Sequence, residues 1–134
     1  MTQMATKPAC VPVLLIEDEH GVRELVRSVL ERNGYQVVSA ESGADALRLL
    51  ANGQFQGVVS DMCTPGGVDG AQVHAWIATH RPELVSRLVF ITGDIAREDT
   101  AATLRKTGAP CLEKPFRVQE FLSVVESTMG KAGA

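Results

Sequence analysis

Cysteine is scarce in this 134-residue chain, and its three copies, Cys10, Cys63 and Cys111, stand far apart. Such an odd, dispersed set argues against a disulfide framework, and the lack of any CxxC or Cys/His cluster argues against zinc. A reducing cytoplasm is the expected compartment. His20, His74 and His80 are equally scattered and lack ligand spacing, so each reads as solvated or locally bonded. Excess charge is also small: the net value of -3 leaves no electrostatic footprint for nucleic acid or anionic lipid. No apolar run approaches the roughly 20 residues of a membrane span. The opening "MTQMATKPAC" has no signal-peptide core, so residues 1–10 are expected to form a short flexible tail.

What is present is ordinary globular material, 45% hydrophobic and 22% charged, enough for one domain with a real core. Short apolar runs alternate with helical periods. "VPVLLIE" (Val11–Glu17) is continuous and apolar, as a strand covered on both faces should be. "GVRELVRSVLERNG" then puts Val22, Leu25, Val26, Val29 and Leu30 on one stripe, and Asn33-Gly34 stops it. "YQVVSA" is a second strand. Ser42 offers an N-cap, with Asp45 three residues on, to a helix carrying Ala46, Leu47 and Leu50. "GVVSD" is a third strand, followed by a Gly-rich loop and a helix with Val73, Trp76 and Ile77, where Trp76 reads as a packing residue. "RLVFIT" and "PCLEK" are the last strands. The polar "AREDTAATLRKTG" helix lies between them, and "FRVQEFLSVVESTM" follows with Val118, Phe121, Leu122 and Val125 on one stripe. Five strand–helix units with short links predict an α/β fold, a parallel sheet with helices on both faces.

In such a sheet, ligands collect beyond the carboxyl ends of the strands. Those ends carry Glu17-Asp18-Glu19, Asp61, Thr92-Gly93 and Glu113-Lys114-Pro115. If strands one, three, four and five are neighbours, acids, a hydroxyl and an ammonium meet in one pocket. Two carboxylates about 4 Å apart repel by roughly 4 kcal/mol at an effective dielectric near 20, so either some are protonated or a cation sits among them. A hard divalent ion fits an oxygen ligand set, and Mg²⁺ commonly shares its ligands with a phosphoryl group. This is equipment for phosphorylating a carboxylate: Asp61 as nucleophile, Glu17 and Asp18 for metal, Lys114 and Thr92 for phosphoryl oxygens.

From about Pro12 to Met129 the chain resembles a response-regulator receiver domain of two-component signalling. The motifs that carry the likeness are "LLIEDE", "VVSDMCTPGGVDG", "FITGD" and "LEKPF", in order on successive strand ends. The resemblance implies a flavodoxin-like (βα)5 three-layer sandwich, strand order 2-1-3-4-5, with the receiver over residues 11–130 and a tail at 131–134. It implies that Asp61 accepts a phosphoryl group from a sensor histidine kinase or a histidine phosphotransfer protein. It further implies that Mg²⁺, or Mn²⁺ in its place, is held by Glu17, Asp18, Asp61 and the carbonyl of Cys63. Thr92 and Lys114 become the switch hydroxyl and the phosphoryl-binding lysine, and the Lys114–Pro115 peptide is expected to be cis. A phosphoacceptor of this kind is not a turnover enzyme; its partners are proteins, without nucleic acid or membrane.

The chain departs from the family pattern in two places. Cys111 stands where an aromatic ring usually sits, and Gly66-Gly67 makes the loop after Asp61 one residue longer than the common form. The "ITGD" and "GAPCLEKPF" segments resemble receivers at the ends of hybrid sensor kinases, and no output module is expected after the last helix. A haloacid-dehalogenase-like phosphatase would need DxDx(T/V) after the first strand, which "EDEHG" lacks. A nucleotide-binding flavodoxin relative would need a phosphate-binding glycine fingerprint there, also missing. A receiver-like interaction module that has lost phosphorylation is the remaining alternative.

Overall fold

A computed structural model describes residues 11–63 and 67–132. The expected tail at 1–10 and part of the lengthened loop, 64–66, lie outside the described residues, as do 133–134.

Five strands alternate with five helices: β1 Val13–Ile16, α1 His20–Arg32, β2 Val37–Ala40, α2 Gly43–Asn52 and β3 Gly57–Asp61. After them come α3 Gly70–His80, a 3₁₀ turn Pro82–Arg87, β4 Leu88–Thr92, α4 Glu98–Thr107, β5 Cys111–Glu113 and α5 Val118–Met129. The sheet is parallel throughout, in the order β2-β1-β3-β4-β5 that the resemblance implied.

Because side chains alternate across a strand, β1 supplies both halves of the core. Leu14 and Ile16 join Val58, Phe90, Leu50, Val73 and Ile77 on the α2–α3 face, while Val13 and Leu15 join Val59, Ile91, Leu30, Phe121 and Val125 on the α1–α5 face. All four residues of β1 are fully buried, which is why that strand reads as an unbroken apolar run. Two expectations for the helical stripes fail. Leu25 is 56% exposed and Val118 46%, so the buried stripe of α5 is Phe121, Val125 and Met129, four residues apart along the helix.

Local chemistry sets the element ends. Ser42 accepts the Asp45 amide as the spacing predicts. Asp69 and Gln72 complete a capping box at the start of α3, a signature present in the sequence but passed over there. Gly57 is small for a reason: a Cβ there would lie 2.8 Å from the Arg87 carbonyl and 2.5 Å from Met129 Sδ. Among the described residues, no helix is long and apolar enough to cross a membrane.

Candidate functional site

The register brings the strand ends together. Ile16 pairs with Ser60 and Asp61 with Ile91, so the residue after β1, Glu17, lies beside Asp61, and Thr92 lies one step beyond on β4. Thr92 pairs with Glu113, and its carbonyl accepts the Lys114 amide at 2.7 Å, which fixes the base of that lysine. The Lys114–Pro115 peptide is cis. All five side chains of the expected set therefore reach one rim of the sheet.

Carboxylate oxygens of Glu17, Asp18 and Asp61 lie within 4.8 Å of one another. Glu17 is fully buried, Asp61 and Thr92 are buried at 7% and 3% exposure, and Asp18 faces solvent. The Lys114 ammonium donates to Glu17 Oε1 at 2.9 Å and to Asp61 Oδ2 at 3.4 Å. Two backbone amides also serve the acids: Cys63 N–H reaches Asp61 Oδ1 at 3.3 Å, and Glu19 N–H reaches Glu17 Oε2 at 3.1 Å. Thr92 Oγ1 accepts the Asp94 amide at 3.2 Å, an Asx-like turn that leaves its proton free to point elsewhere.

Arg23 was missed in the sequence. Its guanidinium donates to the carbonyls of Glu17 (2.9 Å) and Asp18 (3.3 Å), and so holds the acid pair's backbone from the first turns of α1. The available signal was a basic residue one to two helical turns after adjacent acids.

Burial is the foremost influence raising the Glu17 pKa above the ordinary 4.5, and Asp61 adds repulsion against the opposing help of Lys114 and the Glu19 amide. For Lys114, burial works downward, but the Glu17 bond and the Asp61 charge outweigh it and raise the pKa above 10.5. Burial pushes the Cys111 thiol up to about 11 and raises that of Cys63 as well, so neither is an activated thiolate.

The Glu17 shift has a pH consequence. Where the folded pKa exceeds the unfolded one, the native state binds more protons, and stability falls as pH rises through that window. In metal-free buffer, Glu17 is expected to make unfolding free energy decline from pH 4.5 upward. Urea titrations at several pH values should show this decline, and Glu17→Gln should flatten it. A slope unchanged by the substitution would assign the decline elsewhere.

The donor set is three carboxylates around a partly open face, hard oxygen ligands that suit Mg²⁺ or Mn²⁺ rather than a soft metal. Beside the acids lies an open apolar groove of about 370 Å³, lined by Glu19, Val22, Leu25, Lys114, Pro115 and Phe116.

The family model described as "Response regulator receiver domain" matches residues 13–126. The response regulator protein FleR of Pseudomonas aeruginosa is 35% identical over 113 residues, covering 84% of this chain and 23% of that protein. The response regulator MprA of Mycobacterium sp. (strain KMS) is 32% identical over 113 residues, 84% of this chain and 48% of that one. The chain therefore spans half or less of the length of these curated relatives. Among solved structures, the receiver domain of NtrX from Brucella abortus superposes with a TM-score of 0.78 at 28% identity, covering 87% of this chain and 97% of that one.

Proposed function

Since the chain belongs to the response-regulator receiver family of two-component signalling, we propose that Asp61 is its phosphoacceptor, charged by a phosphohistidine on a sensor kinase or phosphotransfer protein. One observation carries the assignment: the Lys114 ammonium bridges the buried Glu17 and Asp61 carboxylates, so among the described residues only these acids share a cation, one able to follow the incoming group. An Asp61 oxygen forms the new P–O bond as the P–N bond of phosphohistidine breaks, and the leaving imidazole takes up a proton.

The Cys63 amide and Lys114 orient the Asp61 carboxylate, one bond to each oxygen, and leave a lone pair on each for metal or attack. In the product, Lys114 keeps one partner, Glu17, and exchanges the other for a phosphoryl oxygen. Thr92, one strand over, turns its free hydroxyl proton to a second oxygen. Glu17, Asp18, Asp61 and the Cys63 carbonyl are the residues that would hold Mg²⁺, which supplies charge neutralisation for the transferring phosphoryl group when bound.

Moving a receiver from 1:99 to 99:1 in favour of its active state takes about 5.5 kcal/mol of differential binding. Charge-assisted bonds from Lys114 and Thr92 supply part of that order. The polar α4, which begins six residues after Thr92, is the element such a shift would move. With Cys111 in the place of a ring, no large side chain follows Thr92 inward, and the response falls mainly on the loop before α4.

Incubation with Mg²⁺ and acetyl phosphate should add the mass of one phosphoryl group, on the peptide that contains Asp61, and EDTA should prevent it. Label on another residue, or steady release of phosphate from simple esters, would sink this reading.

The groove beside Lys114 supports a docking surface for the phosphohistidine donor, because it adjoins the acceptor and exposes Leu25. Leu25→Arg should slow transfer from a phosphorylated histidine protein roughly tenfold, the equivalent of about 1.4 kcal/mol of lost contact. Uptake from acetyl phosphate should stay unchanged. Equal slowing with both donors would show damage to the site rather than to docking.

A further inference from the structure

Away from the acceptor, α3 and α4 leave a cleft between them. Its upper lobe, about 370 Å³, is walled by Ala71, Ala75 and Ala78 of α3 and by Thr103, Lys106 and Thr107 of α4, with His74 at its floor. A lower lobe of about 380 Å³ continues past His74 and Lys106 toward Val85 and Pro110. The size of each falls within the range of small-molecule sites.

Two features give the cleft a chemistry. No acidic residue lines either lobe, although acids outnumber Lys and Arg in the chain, 16 to 13. Among the described residues Lys106 has no ion-pair partner, so the cleft presents an uncompensated ammonium beside an imidazole. Burial and the Lys106 charge keep the His74 pKa below 6.5, which leaves a neutral ring able to donate one N–H.

At the upper end, Ala71 and Thr103 also border a void of about 30 Å³ that touches Met62 and Cys63 beside the acceptor. Thr100 lines that void. It is 1% exposed and, among the described residues, its hydroxyl has no hydrogen-bond partner. That void is the size of a single water, so it lies outside the space a guest would occupy. Asp69 and Asp99 flank the same end and repel anions from it. A negatively charged guest must therefore seat its charge at the Lys106 end.

We propose that this cleft is a binding site for a small organic monocarboxylate, its carboxylate on Lys106 and His74 and its apolar body along Ala71, Ala75 and Ala78. Its upper end abuts the loop that follows Asp61, so an occupant packs against the first turns of α4.

Benzoate, with benzamide as the uncharged control, tests this by ¹⁵N–¹H NMR titration of the whole chain. Benzoate should give saturable shifts at the amides of Ala75, Thr103 and Thr107. Affinity should fall at least tenfold for benzamide, and likewise for benzoate with Lys106→Gln; Ala75→Leu should abolish the shifts by filling the groove. Both substitutions are at exposed positions, and an otherwise unchanged spectrum verifies the fold. Equal shifts from benzoate and benzamide, indifference to Lys106→Gln, or shifts centred on the Glu17–Lys114 rim would overturn the proposal.

Discussion

Asp61→Asn is expected to take up no phosphoryl group from acetyl phosphate, a loss of at least a hundredfold against the unaltered chain. The amide is nearly isosteric, so the Cys63 N–H bond to the side-chain oxygen survives, and Lys114 keeps Glu17 at 2.9 Å. What disappears is nucleophilicity, because the amide lone pair is delocalised and no anion remains to attack phosphorus. One of the three carboxylates near the metal position is also lost, so Mg²⁺ should protect the variant less against thermal unfolding. Mass spectrometry and melting curves read the two effects separately. Undiminished labelling of the variant would move the acceptor to another residue.

Lys114→Met should have the largest combined effect on stability and chemistry. Its ammonium is the cation partner of Glu17, a residue with no exposed surface, and is itself only 19% exposed. Removing one member of a buried pair typically costs 3–5 kcal/mol, since a lone charge is left in a poor dielectric. Here the cost should be smaller, roughly 2 kcal/mol, because Glu17 can protonate and the rim admits water. That corresponds to a fall in melting temperature of about 8 °C for a domain of this size. The sign with pH is informative. The pair needs an ionised Glu17 and a protonated Lys114, so the deficit should be largest at a pH between their two raised pKa values and should shrink as pH falls toward 4.5, where Glu17 takes a proton. The rate of uptake from acetyl phosphate should drop about a hundredfold, the usual cost of losing one donor to a developing oxyanion. A variant that melts lower but is labelled at full speed would reduce Lys114 to a structural counter-ion.

Most of the architecture was legible because each element repeats its message at short range. β1 is apolar on both faces as only a central parallel strand can be, and Ser42–Asp45 announces α2 before its first buried apolar residue, Ala46. The cluster at the strand ends was legible for a related reason: a charged side chain at the end of an apolar strand is costly unless something beyond the strand uses it. Four such ends in order, Glu17-Asp18, Asp61, Thr92 and Lys114, are hard to produce otherwise. The periodic stripes were less dependable. Leu25 and Val118 fit a buried period, yet both are exposed, because periodicity marks a face of a helix and not how far its neighbours extend over that face.

Composition and pattern along the chain were enough for the parallel α/β fold, and the strand-end motifs for the resemblance to the family, since strand type, helix stripe and strand-end chemistry are local properties. Distance decided the rest. That Lys114 spans Glu17 and Asp61 rather than one of them, and that Lys106 and His74 share a cleft without an acid, depend on pairs up to 97 residues apart. Such pairs meet only once helices of given length have packed on a sheet of given order, and no short window of sequence contains both partners.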